Sequence, residues 1–182
     1  MSTPGVYWHE GMFLRPHHFQ AAERFWADQL CHDGRFDVHH NWGVRAVDLD
    51  VDALRNYRFV VNKVSARLRD GTLVVAARGT DLAVDPVDLQ PFGPRLGPGD
   101  VLELKLAVPA LQLGRPNTAG PDDPSTRYHV AAAAKVVDEH TGQNEQPIPF
   151  RRLNVKILTP DDNPSGYETL PLARLVRSAQ AS

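Results

Sequence analysis

One cysteine, Cys31, stands in 182 residues, so the chain cannot staple itself with an intrachain disulfide. Cationic excess is missing as well: 20 Lys and Arg face 22 Asp and Glu, a net charge of −2, which leaves no basic field for nucleic acid or an anionic membrane. No apolar run nears the roughly 20 residues that cross a bilayer. The start MSTPGVYWHE has neither a basic segment nor the apolar stretch of a secretory signal, so the expected location is the cytosol. Catalytic signatures are wanting too. There is no His-Glu-x-x-His, no Cys/His pairing and no Gly-x-Ser-x-Gly, and Gly93 to Gly99 lacks the helix and lysine of a phosphate loop. His9, His17, His18, His32, His39, His40, His129 and His140 are read as surface or capping residues rather than a metal set, because adjacent histidines cannot face one site from a regular element. The carboxylate pairs Asp48/Asp50 and Asp122/Asp123 are read as caps and solvated turn residues. The expectation is a protein with no enzymatic activity, no cofactor and no metal.

What the sequence does have is apolar weight at its start. Tyr7, Trp8, Met12, Phe13, Leu14 and Phe19 crowd the run from Val6 to Gln20, interrupted by Glu10, Arg15, His17 and His18. Chain ends stay loose unless tied down, so such a run implies docking. Gly11 permits a bend and Pro16 suits the first position of a helix. Phe19, Ala22, Trp26 and Leu30 then recur at helical spacing, which predicts a helix from about Pro16 to His32 with those four residues as its buried stripe, ended by Asp33-Gly34.

From Trp42 onward the period drops to two. Trp42, Val44 and Ala46 alternate, as do Tyr57, Phe59 and Val61, and after a register change Val64, Ala66 and Leu68. Asp50 to Asn56 reads as a turn or one helical turn, and Asp70-Gly71 before TLVVAA as a hairpin. The prolines and glycines between Asp85 and Asp100 exclude a central strand there. Leu102, Leu104, Leu106 and Val108 give the cleanest alternation, with one face core and the other wet. Gly114 to Thr126 is a second loop. Tyr128 to Val136, Phe150 to Leu158 and Tyr167 to Val176 complete the strands, and the small side chains from Ala131 to Ala134 suggest close approach of a second element. Length favours one domain. Short strands between turn signals predict a mainly β fold, an antiparallel β-sandwich with an extended arm and one early helix.

The opening run resembles the start of the TssK family (ImpJ or VasE) of the type VI secretion baseplate, W-x-E-G-M-F-L-R-P-Q-H-F-Q. Trp8, Glu10, Gly11, Met12, Phe13, Leu14, Arg15, Pro16, His18, Phe19 and Gln20 match, and His17 stands where Gln is usual. Further landmarks follow in order: Trp42-Gly43, Asp48-Leu49-Asp50, Asp70-Gly71-Thr72, Ser125, Arg127-Tyr128, Arg152-Leu153-Asn154 and Gly166-Tyr167, then Leu170 to Arg174. The resemblance implies the shoulder domain of the phage receptor-binding type. It also implies a structural adaptor role, with the wedge proteins TssF and TssG as partners and recruitment to the apparatus at the inner membrane without direct insertion. Family members continue into a helical middle region and a head tied to trimer stability. The expected layout is therefore arm 1–15, a helix 16–33 packed on the sandwich, a shoulder sandwich 42–177 and a tail 178–182. The isolated domain is expected to be a monomer or a weak trimer. The phage likeness leaves a receptor- or glycan-binding module as the alternative.

Tyr7, Trp8, Glu10, Met12, Phe13, Leu14 and Arg15 are the candidate site residues. They either dock the arm on its own sandwich, the favoured expectation, or bind a partner. Glu10 and Arg15 are expected near the rim as an ion pair or with backbone partners.

Overall fold

A computed structural model describes residues 3–120, 123 and 125–177; Asp122 and the tail 178–182 lie outside the described residues. The chain divides into two compact units, residues 1–42 and 43–182, where length alone suggests one domain.

The first unit is an arm and a helix. Pro16 opens helix α1, Pro16–Asp37, because a first-turn residue has no intrahelical use for the N–H that proline lacks. The helix runs past the expected stop at Asp33-Gly34. Gly34 costs about 1 kcal/mol against alanine inside a helix. Nothing in Arg35-Phe36-Asp37 forces the chain out, and the Val38 N–H closes a last turn on the Gly34 carbonyl at 3.2 Å. The expected stripe is also corrected. Phe19, Trp26 and Leu30 are exposed, and the half-buried positions are His18, Ala21, Ala22, Phe25, Asp28, Cys31, His32 and Gly34. That face meets the returning arm. The Thr3 N–H donates to Asp28 Oδ2 at 3.3 Å and the Thr3 hydroxyl donates to the same oxygen. The Phe25 ring lies 3.6 Å from where a side chain on Gly5 would begin.

The second unit is the sandwich. Its elements in order are β1 Gly43–Leu49, α2 Val51–Arg55, β2 Arg58–Phe59, β3 Val61–Arg67, β4 Leu73–Ala77, β5 Val87–Asp88, a 3-10 helix Gln90–Arg95, β6 Val101–Pro109, β7 Thr118–Ala119, β8 Tyr128–Val130, β9 Ala134–Val136, β10 Gln146–Ile148, β11 Arg151–Leu153, β12 Lys156–Leu158 and β13 Tyr167–Val176. They pair as β1-β3-β4, β12-β6-β13, β11-β8-β7, β9-β10 and β2-β5, antiparallel throughout except β7 with β8.

Local chemistry explains the boundaries. Asp50 caps α2 by accepting the Ala53 N–H at 2.9 Å. The register change after Val61 is a bulge: Asp48 pairs with Lys63 and Leu49 with Val61, leaving Asn62 over. At the β3-β4 hairpin Gly71 takes φ +91°, and Asp70 Oδ1 accepts the Thr72 N–H at 2.9 Å. The alternation then decides the packing. Val64, Ala66 and Leu68 of the hairpin, with Val74 and Ala76, face Leu102, Leu104, Leu106 and Val108 of β6, together with Ile157 and Leu170, in one buried cluster. Burying each of these leucines contributes about 1.5–3 kcal/mol. Near its end β6 is buried on both faces, since Ala107 joins Val108, so the wet face expected of that strand stops at Lys105.

The Asp85 to Asp100 segment holds no central strand, as expected; it carries the two-residue β5 and the 3-10 helix, and it sends Leu89 and Phe92 into the core. Two local expectations change. The run from Tyr128 to Val136 is two strands in two sheets, and Ala132, Ala133 and Ala134 are exposed; their small side chains mark an uncovered crossing, not a close approach. The Phe150 to Leu158 run likewise splits at Asn154, β11 going to β8 and β12 to β6.

The 3-10 helix is tied to a later turn by Arg95, whose guanidinium donates twice to Asp161, at 2.5 and 2.9 Å. These hydrogen bonds and the adjacent positive charge hold the Asp161 carboxyl below its usual range. A carboxyl depressed on folding stabilises the fold above its unfolded pKa of about 3.9 and loses that contribution as pH falls through its folded value. A carboxyl-carbon NMR titration will therefore show Asp161 ionising below an ordinary aspartate, and Arg95→Gln will move it back toward the ordinary aspartate range.

Candidate interaction surface

The arm is built from a turn and a set of exposed rings. Gly11 takes φ +77°, a conformation that costs a side-chain-bearing residue, and the Met12 N–H donates back to the His9 carbonyl at 3.4 Å. Pro16 sets the exit into α1, where the Arg15 N–H donates to His18 Nδ1 at 3.0 Å and the His18 N–H to the Arg15 carbonyl at 3.0 Å. This is a reciprocal cap in which a histidine does what Glu or Gln usually does.

The seven candidate residues come together on this bend, and six of them are exposed. Trp8 is 51% exposed and Phe13 78%, with Tyr7, Leu14, Glu10 and Arg15 also outward and Met12 half-buried. Trp8 stands 6.3 Å from the His18 ring and Tyr7 5.7 Å from the His9 ring, so the aromatics touch their own unit at their edges. Glu10 and Arg15 form no ion pair with each other; Arg15 instead lies 5.7 Å above the Phe13 ring. Phe19, Trp26, Leu30 and Phe36 on α1 add further exposed apolar area. Sequence reading placed Phe19, Trp26 and Leu30 in a buried stripe, because helical spacing shows that a face is apolar and not what covers it. Among the described residues no three His, Cys, Asp or Glu side chains gather as metal ligands would.

In the sandwich the family-like landmarks hold structure together. Arg127 is 5% exposed. Its guanidinium donates to the Pro109 carbonyl at 2.8 Å, to Asp70 Oδ2 at 2.9 Å and to the Thr72 hydroxyl, pinning the β3-β4 turn to the end of β6. Asn154 donates its N–H to the Arg127 carbonyl at 2.9 Å and its side chain to the Thr126 carbonyl at 3.1 Å. Asp123, whose carboxyl is held low by the Ser125 hydroxyl and N–H, closes the adjacent turn. Among the described residues no helix is long and apolar enough to cross a membrane.

Comparison with known proteins fits this geometry. Residues 18–182 match the family described as bacterial type VI secretion, VC_A0110, EvfL, ImpJ, VasE; the match begins just after the bend of the arm. The type VI secretion system baseplate component TssK1 of Pseudomonas aeruginosa is 27% identical over 180 residues, covering 93% of this chain and 37% of that protein. A crystal structure of TssK superposes with a TM-score of 0.81 at 26% identity, over 96% of this chain and 38% of that one. The cryo-electron microscopy structure of a TssK-TssF-TssG baseplate subcomplex gives a TM-score of 0.84 at 24% identity, over 99% of this chain and 58% of that one. The chain thus spans little more than a third of the curated relative's length, and it shares the fold of the solved TssK structures. With nine-tenths of its residues inside the family match and its mainly β fold in common, the chain belongs to the bacterial type VI secretion family of TssK, ImpJ and VasE.

Proposed function

We propose that the chain is a structural, non-enzymatic adaptor of the type VI secretion baseplate that binds the wedge proteins TssF and TssG, with the arm as one anchor. One observation carries this reading. The densest aromatic stretch of the sequence, Tyr7 to Phe13, carries exposed rings around the bend at Gly11. Exposed aromatics and arginine in one patch are the residue types that dominate interface energies. Family membership supports the baseplate setting, and the subcomplex that shares the fold supplies the partners by name.

The test sets a pulldown with co-expressed TssF and TssG beside a glycan array. Retention of the wedge proteins with a blank array is the expected result. Glycan binding without wedge retention would overturn the reading in favour of a receptor-binding module.

A further inference from the structure

Aromatic side chains carried on a chain end bind well only if that end is ordered beforehand, because ordering it at the moment of binding subtracts from affinity. The rings of the arm sit on such an end, and its apolar grip on its own unit is slight. From Pro4 to Arg15 only Val6 and Met12 are half-buried, and the rest are exposed.

Two polar fixings hold the arm instead, one at each end. Next to the helix, Arg15 and His18 cap each other reciprocally. At the far end Thr3 gives Asp28 Oδ2 both its N–H, at 3.3 Å, and its hydroxyl. Asp28 lies in the middle of α1 and is half-buried. Aspartate is among the poorer helix formers, and at that position it has no free helix end to cap. Among the described residues its hydrogen bonds go to Thr3, so its service is to the arm and not to the helix.

The spacing of the two fixings shapes what lies between them. His18 and Asp28 are about 15 Å apart along the helix axis, whereas the run from Pro4 to Leu14 could reach about 36 Å if extended. A chain with that much slack, held at both ends, must bow, and Gly11 at φ +77° takes the bend. Tyr7 and Trp8 lie before the bend and Phe13 and Leu14 after it, so both limbs of the bow carry exposed apolar side chains. The first limb also rests on α1, where the Phe25 ring lies 3.6 Å from the place of a side chain on Gly5.

We propose that Asp28 is a positioning residue for partner binding: by holding Thr3 it closes the arm into a loop anchored on α1 at both ends, and so orders the aromatic rings before a partner arrives. This rests on the wedge-binding reading above and adds to it a residue outside the arm.

Backbone amide relaxation by NMR on the free chain, with a titration against the co-expressed TssF and TssG complex, tests it. In the parent the order parameters from Tyr7 to Leu14 should stay near the rigid-backbone value of about 0.85, and in Asp28→Ala they should fall below about 0.6. The same variant should bind the TssF and TssG complex about tenfold more weakly, with the thermal melt of the sandwich unmoved. Asp28→Asn keeps an acceptor oxygen for Thr3 and should recover most of both losses. Thr3→Ala, at a chain end where folding is not at stake, should reproduce part of them, and Thr3→Ser should restore the parent. Order parameters unchanged in Asp28→Ala, or a mobile arm that binds as tightly as before, overturns the latch and leaves the adaptor reading standing. Tighter binding by Asp28→Ala overturns it too, since the contact would then be holding the arm back. A parent chain that retains neither TssF nor TssG overturns both readings.

Discussion

Arg127→Ala will lower the stability of the sandwich by about 3 kcal/mol, more than truncating any exposed side chain in the molecule. The guanidinium is buried and serves three acceptors on two elements, the Pro109 carbonyl at the end of β6 and Asp70 and Thr72 in the β3-β4 turn. Removing it leaves the Pro109 carbonyl without that donor and takes the paired charge from Asp70, which keeps the Thr72 N–H and hydroxyl, and a buried polar group left without its partner costs more than the lost attraction alone. Asp70 keeps some solvent, with 27% of its side chain exposed, which places the effect at the low end of the roughly 3–5 kcal/mol seen when a buried pair is broken. For a chain of this size the melting temperature should drop by about 6–12 °C. Arg127→Lys keeps the charge but not the fork, and should recover about half of the loss. Urea unfolding of both variants with an unchanged slope checks the expectation; a midpoint equal to the parent's would mean that the clamp contributes nothing.

Trp8→Ala combined with Phe13→Ala will separate binding from stability in the opposite way. Both side chains are largely exposed, so truncating them should move the unfolding free energy by no more than about 0.5 kcal/mol. Loss of two aromatic anchors from an interface costs about 2 kcal/mol or more each, so retention of TssF and TssG should weaken by roughly a thousandfold. Calorimetric melts and pulldowns on the same double variant give the answer. If the melt instead shows a loss of about 3–5 kcal/mol, the arm is core, as the sequence alone favoured.

Those two residue sets show where a sequence speaks and where it is silent. The sandwich was legible because a sheet with one dry face imposes a two-residue period: the alternations from Phe59 to Leu68 and from Leu102 to Val108 are the core. The turn at Asp70-Gly71 and the cap at Asp50 were legible because their chemistry is local. Strand switching was not. Nothing between Phe150 and Leu158 marks Asn154 as the point where the chain leaves one sheet for another, since both halves alternate normally and the break depends on partners far away in sequence. The arm was half legible. Its apolar content located the candidate residues, and Gly11 and Pro16 located the bend, but an apolar side chain carries no mark of whether its own fold or another molecule will cover it. Arg127 stood out only as a landmark, because a buried guanidinium is identified by the carbonyl and carboxylate that meet it, and Pro109 and Asp70 lie 18 and 57 residues away.

The pairing of β6 also sets the order in which the molecule can assemble. The β3-β4 hairpin closes over five residues, so it can form as soon as it leaves the ribosome. β6 has no such neighbour. Its partners are β12, which pairs Lys156 with Ala107, and β13, which pairs Val101 with Val176. Throughout synthesis of the intervening chain the most apolar strand of the core waits with both edges open. Closing loops of that length before any contact rewards them is slow, so folding of the second unit is governed by the arrival of its last strand. A nascent chain halted before Lys156 would hold a finished hairpin and a β6 with neither partner strand, the species most inclined to associate with its own kind.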